Sequence, residues 1–513
     1  MLEQNFAYIL EKKRATHPKD IAIVEAFNSK AYSYDDLCRR VSRLANALKD
    51  AGINKGDRII CLTANTVEYF DIFMAAARLG LLLIPINYRL APFEMMKIVN
   101  DAKPKAFIFD AEFGNAAKEI ATTTPNLKLI FLYGNGEYSW ATRMEEIVGQ
   151  YPESGPEIVG DSEDPLLMLY TAGSTGKPKG VPMKQTNLFF STINWIIDYG
   201  ITKNDYSLTV IPLFHIAGHM VWTLPHLVVG AKVLLQRRFE PEMTLRLIEQ
   251  EKITNVWLAS AMIKMILSLP NWKDYDLSSL RFVGVGGEPV PEKILSAFAE
   301  IKIPILPDYG LTETTDGTIA VRPEDTLGKP GNCLGKPLTL TDARIVDKEG
   351  RDVGFGVEGE LLHRGPSIVD AYWNNPEAGA KTFHDGWIHT GDIVVRDEKG
   401  FIYFIARKDE LIITGGENVY PAEIEDIILG YPKVADVAVI GIPDEKWGQT
   451  IKAVIAPKSG TIIKEEEIIE YIKTRLSSFK HPRIIQFVES LPRIGSGKMD
   501  RVQIKYMYGK NKK

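Results

Sequence analysis

Cysteine is scarce. Cys38, Cys61 and Cys333 are the only three in the chain, and each stands alone in its stretch of sequence. An odd count with no paired spacing argues against a disulfide framework or a zinc cluster, and predicts three small buried side chains. Long hydrophobic runs are lacking too. The longest, Leu79 to Ile86, is far short of the roughly 20 residues a membrane-spanning helix needs. Met1 to Lys12 carries Glu3, Glu11 and Lys12 instead of the apolar stretch of a secretory signal. The basic tail from Lys505 has no peroxisomal ending. Charge of one sign is missing as well: 61 basic and 66 acidic residues give a net charge of −5. That balance predicts neither nucleic-acid binding nor adsorption to an acidic membrane. The expectation is a globular cytoplasmic protein without integral membrane association. Its 513 residues are too many for one core, so at least two domains are expected.

Short apolar runs alternate with amphipathic ones. Arg58–Leu62, Leu81–Ile86 and Ala106–Phe109 read as strands, with Val67–Leu79 and Phe93–Asp101 as helices. The pattern continues through Leu208–Ile211, Lys232–Leu235, Asn255–Leu258, Arg281–Val285 and Pro304–Leu306. Buried strands separated by helices predict an α/β fold of layered, largely parallel sheets. From Leu338 to Phe404 strand-like runs sit between Gly-rich turns, which predicts a β-rich subdomain over about 338–406. The charged run Ala406 to Glu410 marks a boundary. It divides an N-terminal core, 1–406, from a small α/β domain, 407–513. In the latter Pro421 opens a helix stopped by Gly430, Val434–Ile440 and Lys452–Ile455 are strands, and Lys464 to Ser478 is a helix.

After the apolar run Leu166 to Tyr170 comes Tyr170-Thr-Ala-Gly-Ser-Thr-Gly-Lys-Pro-Lys-Gly180. Its glycines permit close backbone approach, its hydroxyls donate, and Lys177 and Lys179 bring positive charge, which together suit a polyphosphate. It is not the common nucleotide P-loop, because Pro178 follows Lys177 where Ser or Thr would stand. Four further motifs follow. Val285-Gly-Gly-Glu-Pro289 and Ile305-Leu-Pro-Asp-Tyr-Gly-Leu-Thr-Glu-Thr314 each come after or within a predicted strand. His389-Thr-Gly-Asp392 supplies a carboxylate after a turn, and Pro492 to Arg501 carries Lys498 between glycines. Taken singly, each has a plain reading as a turn, a core aromatic or a solvated charge.

Taken together and in this order, the motifs resemble those of the adenylate-forming enzymes, specifically the AMP-dependent acyl-CoA synthetases. Gly359 to Gly365 and Tyr372-Trp-Asn-Asn-Pro376 fit the same family, so the resemblance runs from about Asn5 to Arg501. It implies a large N-terminal domain and a small mobile C-terminal domain, with ATP, Mg²⁺ and coenzyme A as ligands. Thr171, Ala172, Gly173, Ser174, Thr175, Gly176, Lys177 and Lys179 would hold the phosphates of ATP. Gly287 and Glu288 would border adenine, with Gly286 reaching the acyl site. Asp308 and Gly310 would flank Tyr309, which stacks on adenine. Thr312 would contact the α-phosphate region, and Glu313 would hold Mg²⁺ as one hard carboxylate beside phosphates and water. Asp392 would accept from the ribose hydroxyls, and Arg407 would reach ribose or phosphate. Lys498, Glu313, Thr171 and His215 would carry catalytic roles. Asp409 would be the hinge that exchanges two half-reactions, and Gly415 and Gly416 would line the coenzyme A channel.

The implied reaction joins a carboxylic acid to AMP with loss of pyrophosphate, then passes the acyl group to a thiol. The chain ends soon after Lys498 with no carrier domain, so free coenzyme A is the expected acceptor. Loading of a separate carrier protein is the alternative. A luciferase-like oxygenase and a catalytically dead nucleotide-binding protein are more distant readings, and a homodimer is left open.

Ile211 to Gly218 places His215 where the family sets an aromatic gate beside the acyl group. The Asp that holds an α-amine in peptide-synthetase relatives is missing, so a fatty, aromatic, alicyclic or polar-substituted acid is expected. Trp195, Trp222 and Trp257 are either walls of that pocket or core. Many relatives carry a small residue before the adenine-stacking tyrosine; this chain has Asp308. A buried carboxylate there needs a partner, whether a protein group or a hydroxyl or ammonium on the acid.

Overall fold

The computed structural model describes residues 2–171, 178–326, 328–408, 410–414, 417–444, 447–473, 475–476, 478–493 and 499–509. The chain forms two compact units. The first holds Met1–Ala343 and His363–His389, the second Arg344–Leu362 and Thr390–Lys513.

Two mainly parallel sheets build the first unit. In one, Leu129–Tyr133, Ala106–Asp110, Arg58–Leu62, Leu82–Pro85 and Pro165–Thr171 run parallel in that order, and Lys179–Lys184 closes the edge antiparallel. In the other, Ile305–Leu311, Phe282–Gly286, Asn255–Trp257, Tyr206–Thr209, Lys232–Leu235 and Ile21–Glu25 run parallel. The helix Val67–Leu79 is packed against both. Ile59 and Ile108 of one sheet and Ile23 and Val233 of the other share its apolar cluster. Every residue of that helix except Glu68 is buried, which is why its sequence shows no polar stripe. Its buried charges are matched. The Arg40 guanidinium donates to both oxygens of Asp71, from Nε at 3.2 and 2.9 Å, and Arg78 donates from Nε to the Pro156 carbonyl at 2.5 Å. Gly80, at φ 66°, ends it in the left-handed conformation that glycine adopts without cost.

Asp342–Val346, Gly359–Arg364, Trp387–Arg396 and Ile402–Arg407 lie side by side. Beyond them Val434–Asp444 and Gly448–Pro457 pair antiparallel, with Ile484–Phe487 parallel to the latter. The helices Pro421–Leu429 and Glu465–Lys473 set Ile424, Ile428, Ile468 and Ile472 against that sheet. The second helix is shorter than the Lys464–Ser478 expected. The Arg475 amide bonds back only three residues, to the Ile472 carbonyl at 2.9 Å, as the chain turns to bury Leu476.

A sharp reversal in the first unit positions Glu313. Ile305–Leu311 ends in a 3₁₀ turn, Thr312–Thr314, and Asp316–Ala320 returns antiparallel. Thr315 at φ 53° and Asp316 at φ 79° are both left-handed, a strained choice for residues with a β-carbon. The Leu311 amide donates to Thr314 Oγ1 at 2.9 Å and closes the turn. Gly310 is required: a β-carbon there would lie 2.0 Å from the Asp316 carbonyl oxygen. We expect Gly310→Ala to destabilise the protein by about 1–3 kcal/mol, the scale of an overpacked site. Chemical denaturation checks this; an unchanged midpoint would show that the turn has slack.

Candidate active site

Open α/β sheets take ligands at the carboxyl ends of their parallel strands, and some of the expected residues, Thr171, Gly286 and Asp308 among them, lie at such ends. Pro165–Thr171 delivers Thr171 to such an end, opposite Lys179 on the returning strand. Ala172, Gly173, Ser174, Thr175, Gly176 and Lys177, which join the two, lie outside the described residues. The Lys179 ammonium stands 5.0 Å from the centre of the Tyr372 ring, a cation–π distance. The Tyr372 hydroxyl donates to Glu313 Oε1 at 2.8 Å. Tyr372 thus joins a cation of one sheet to a carboxylate on the turn after the other.

Main-chain bonds fix this joint. The Val369 amide donates to the Glu313 carbonyl at 3.0 Å, and the Trp373 amide to the Gly180 carbonyl at 2.8 Å. Gly180 permits the approach, since a β-carbon there would come 3.0 Å from the Trp373 β-carbon and 2.9 Å from Met168 Sδ. The sequence marks Tyr372-Trp-Asn-Asn-Pro376 as a family feature without giving Tyr372 a role. The contact spans 59 residues, so no local pattern announces it.

Thr312 and Glu313 are half-buried. A single carboxylate on a tight turn suits a hard cation that also binds phosphate and water, which is the chemistry expected of Mg²⁺. Tyr309 is buried, its ring 5.9 Å from that of His363. Thr318 Oγ1 lies 3.1 Å from His363 Nε2 and 3.5 Å from the Tyr309 carbonyl, so it braces that neighbourhood. Burial pushes the His363 imidazole down to about 3, so it is neutral near pH 7.

The second sheet ends in a row. Trp257 closes one strand, Gly286 closes the next, and Asp308 stands directly across from Gly286. Gly287, at φ 86°, then turns the chain outward, and Glu288 is exposed. The Asp308 carboxyl is buried, and its partners are neutral donors: Trp257 Nε1 at 2.6 Å and the Tyr199 hydroxyl at 3.5 Å, both to Oδ2. Among the described residues no lysine, arginine or histidine pairs with it. Burial, reinforced by the nearby Asp316 carboxylate, pushes its pKa well above the usual carboxylate range. All three tryptophans named as candidates for pocket walls, Trp195, Trp222 and Trp257, belong to one buried core cluster.

His215 follows Tyr206–Thr209, half-buried, its amide donating to the Pro212 carbonyl at 2.9 Å and its ring 4.6 Å from Phe214. The segment behind it, Ala217–Thr223, is a π-helix, a form common near functional sites. Thr223 Oγ1 donates to the Gly218 carbonyl five residues earlier, at 2.7 Å, which stabilises the wide turn. Inside it His219 is sealed, its Nδ1 2.8 Å from the Tyr69 hydroxyl, and burial lowers its pKa to about 3.

Two expected residues meet in the second unit. Asp392 and Arg407 are paired across neighbouring strands, and Arg407 Nη1 donates to Asp392 Oδ1 at 2.7 Å and to the Thr390 carbonyl at 3.2 Å. The Asp392 amide donates to Thr390 Oγ1 at 3.0 Å. Asp409, Gly415, Gly416 and Lys498 lie outside the described residues.

Comparison with known proteins settles the family. A family profile described as AMP-binding enzyme matches residues 10–373, and one described as AMP-binding enzyme C-terminal domain matches residues 423–498. The chain belongs to the AMP-binding enzymes. It is 34% identical over 479 residues to a feruloyl-CoA synthase of an Amycolatopsis species, covering 93% of this chain and 94% of that protein. To the indoleacetate–CoA ligase of Aromatoleum aromaticum it is 35% identical over 486 residues, covering 94% of each. Its fold matches the o-succinylbenzoate coenzyme A synthetase of Bacillus subtilis, solved with ATP and a magnesium ion. That match has a TM-score of 0.85 and 28% identity, over 97% of this chain and 99% of that one. As a member of this family the chain is an acid–thiol ligase of the AMP-forming type.

The Tyr372 joint yields a prediction. Tyr372→Phe keeps the ring but removes the donor to Glu313. We expect acid-dependent ATP–pyrophosphate exchange at low MgATP to fall about tenfold, or ~1.4 kcal/mol, within the range for a hydrogen bond to a charged group. The unfolding midpoint should stay within a few degrees. Full exchange activity would reduce Tyr372 to packing.

Proposed function

We propose that this ligase activates a carboxylic acid other than an α-amino acid with ATP and transfers it to free coenzyme A. The joint of Lys179, Tyr372 and Glu313 at the sheet ends carries the reading, because it sets a cation and a carboxylate where a polyphosphate and its metal would need them.

Two anions must meet in the first step. The acid's carboxylate oxygen attacks the α-phosphorus of ATP, the bond to pyrophosphate breaks, and an acyl-AMP anhydride forms. The residues act by neutralising charge as it moves. Lys179, with Thr171 and the loop from Ala172 to Lys177, holds the departing pyrophosphate. Glu313 would hold Mg²⁺, which screens the phosphate oxygens when bound. Tyr309 offers its ring to adenine, with Gly287, Glu288, Gly310 and Thr312 around the nucleotide. Asp392 and Arg407 take the ribose. Lys498 places an ammonium between carboxylate and α-phosphate. His215 and Gly286 border the acyl group. In the second step a thiol sulfur attacks the acyl carbon, AMP leaves, and the thiol proton passes to solvent. Asp409 is the hinge whose rotation, from residue 407 onward, replaces Lys498 with the Gly415–Gly416 segment along the pantetheine arm.

The three cysteines are free and buried, which suits a reducing cytoplasm. No helix among the described residues is long and apolar enough to cross a membrane.

The test is a split of the half-reactions. Acid-dependent ATP–pyrophosphate exchange reports the first, and coenzyme A-dependent AMP release reports the whole. Lys498→Ala should lower exchange by on the order of 10²-fold or more, the scale for losing one key electrostatic contact. Asp409→Pro should spare exchange and abolish thioester formation. Exchange without thioester in the unmodified protein would shift the acceptor to a carrier-protein thiol. Equal loss of both steps in Asp409→Pro would remove the hinge.

A further inference from the structure

Asp308 is a carboxyl with an unusual surrounding. It stands at the carboxyl edge of the parallel sheet, across from Gly286 and beside the strand that ends in Trp257. One step further out, Gly287, Glu288 and Pro289 are exposed, and Gly310 and Leu311 are half-buried. The group therefore lies one layer beneath the surface, where such sheets take their ligands. Only 7% of the residue is exposed.

Its two oxygens are treated differently. Both protein donors, the Trp257 indole at 2.6 Å and the Tyr199 hydroxyl at 3.5 Å, end on Oδ2. Oδ1 lies over the bare α-carbon of Gly286, where a β-carbon would come within 2.1 Å of it. The absent side chain of Gly286 is what gives Oδ1 its room. A carboxylate balanced by a protein cation would need a lysine, arginine or histidine, and among the described residues none pairs with it. Its charged neighbour, Asp316, has the same sign and, together with burial, favours the protonated acid. With Oδ2 already accepting from two donors, the proton belongs on Oδ1. A carboxylic acid held neutral in this way becomes a hydrogen-bond donor.

We propose that Asp308 is a specificity-determining residue that donates from Oδ1 to an oxygen on the acyl part of the substrate, so that the enzyme prefers an acid bearing a hydroxyl, keto or ether oxygen over its hydrocarbon counterpart. This rests on the ligase reading given above. Of the partners left open for Asp308 by the sequence, it selects an oxygen on the acid. The discrimination is of the strong kind, because an acid lacking the oxygen leaves a buried donor unmatched.

Matched acids test it. ATP–pyrophosphate exchange would be measured with 4-hydroxycinnamate against cinnamate, 3-hydroxybutyrate against butyrate, 4-oxopentanoate against pentanoate, and 4-(trimethylammonio)butyrate against 5,5-dimethylhexanoate. The protein as it stands should show a kcat/KM at least about tenfold higher for the oxygen-bearing member of the pair that fits the pocket. Asp308→Asn, whose amide N–H can donate from the same place, should keep that preference within about threefold. Asp308→Ala should erase it by lowering the kcat/KM of the oxygen-bearing acid at least about tenfold more than that of the hydrocarbon acid, a change in ratio that a loss of packing alone would not produce. Equal use of both members, or a preference for the hydrocarbon, overturns the proposal. So does a preference for the ammonium acid that disappears in Asp308→Asn, which would make the contact ionic. No exchange with any acid, in protein that still binds ATP, overturns the ligase reading itself. If Asp308→Ala does not fold, the ratios for the unmodified protein and Asp308→Asn still decide.

Discussion

Two main-chain hydrogen bonds hold the candidate site together, Val369 to Glu313 and Trp373 to Gly180. The strap from 369 to 373 crosses from one sheet to the other and pins the end of each. Without it Lys179 and Glu313 would belong to separate surfaces. With it they share Tyr372, and the distance between cation and carboxylate is set by backbone geometry instead of by two flexible side chains. Backbone bonds are the better choice for this task, since they lose little entropy once both sheets are formed. The buried helix Val67–Leu79 does the same work on a larger scale, because its apolar surface contacts both sheets at once.

The electrostatics follow from this enclosure. Around His219 and Asp308 burial favours the uncharged forms. His219 is held neutral by burial alone, Asp308 is surrounded by an indole, a phenol and another carboxylate, and Trp195 and Trp222 are sealed in the core. Lys179 and Glu313, by contrast, are half-buried. On the function proposed above, the first place suits a weakly polar acyl group and the second a polyanion. The sheet ends supply both because neighbouring strands arrive there from different sequence contexts.

Much of this was legible in the sequence where the signal is local. Arg58–Leu62 and Val67–Leu79 have the bounds expected of them, because a glycine stop and an unbroken apolar run leave little choice. The strand expected at Pro304–Leu306 runs on to Leu311, so Tyr309 lies within it and Glu313 on the turn that follows. The helix Glu465–Lys473 was read too long, as far as Ser478, while the chain turns earlier to bury Leu476. What the sequence did not show is how Tyr372 and Trp257 act. Each acts through a partner 59 or 51 residues away, and neither bond leaves a trace in spacing or composition. The left-handed pair Thr315 and Asp316 was equally invisible, since a β-branched threonine argues against that conformation even beside an aspartate, which tolerates it.

The fit of Asp308 over Gly286 has an evolutionary corollary. A lineage cannot add a side chain at position 286 while the carboxyl remains, because the two would occupy the same space. Removing the carboxyl first leaves a gap and two donors, Trp257 and Tyr199, with nothing to hold. Either route passes through a poorer intermediate, so these positions are expected to change together or not at all. Descendants with a different acyl preference would then arise in abrupt steps, and the residue at 286 would foretell the one at 308.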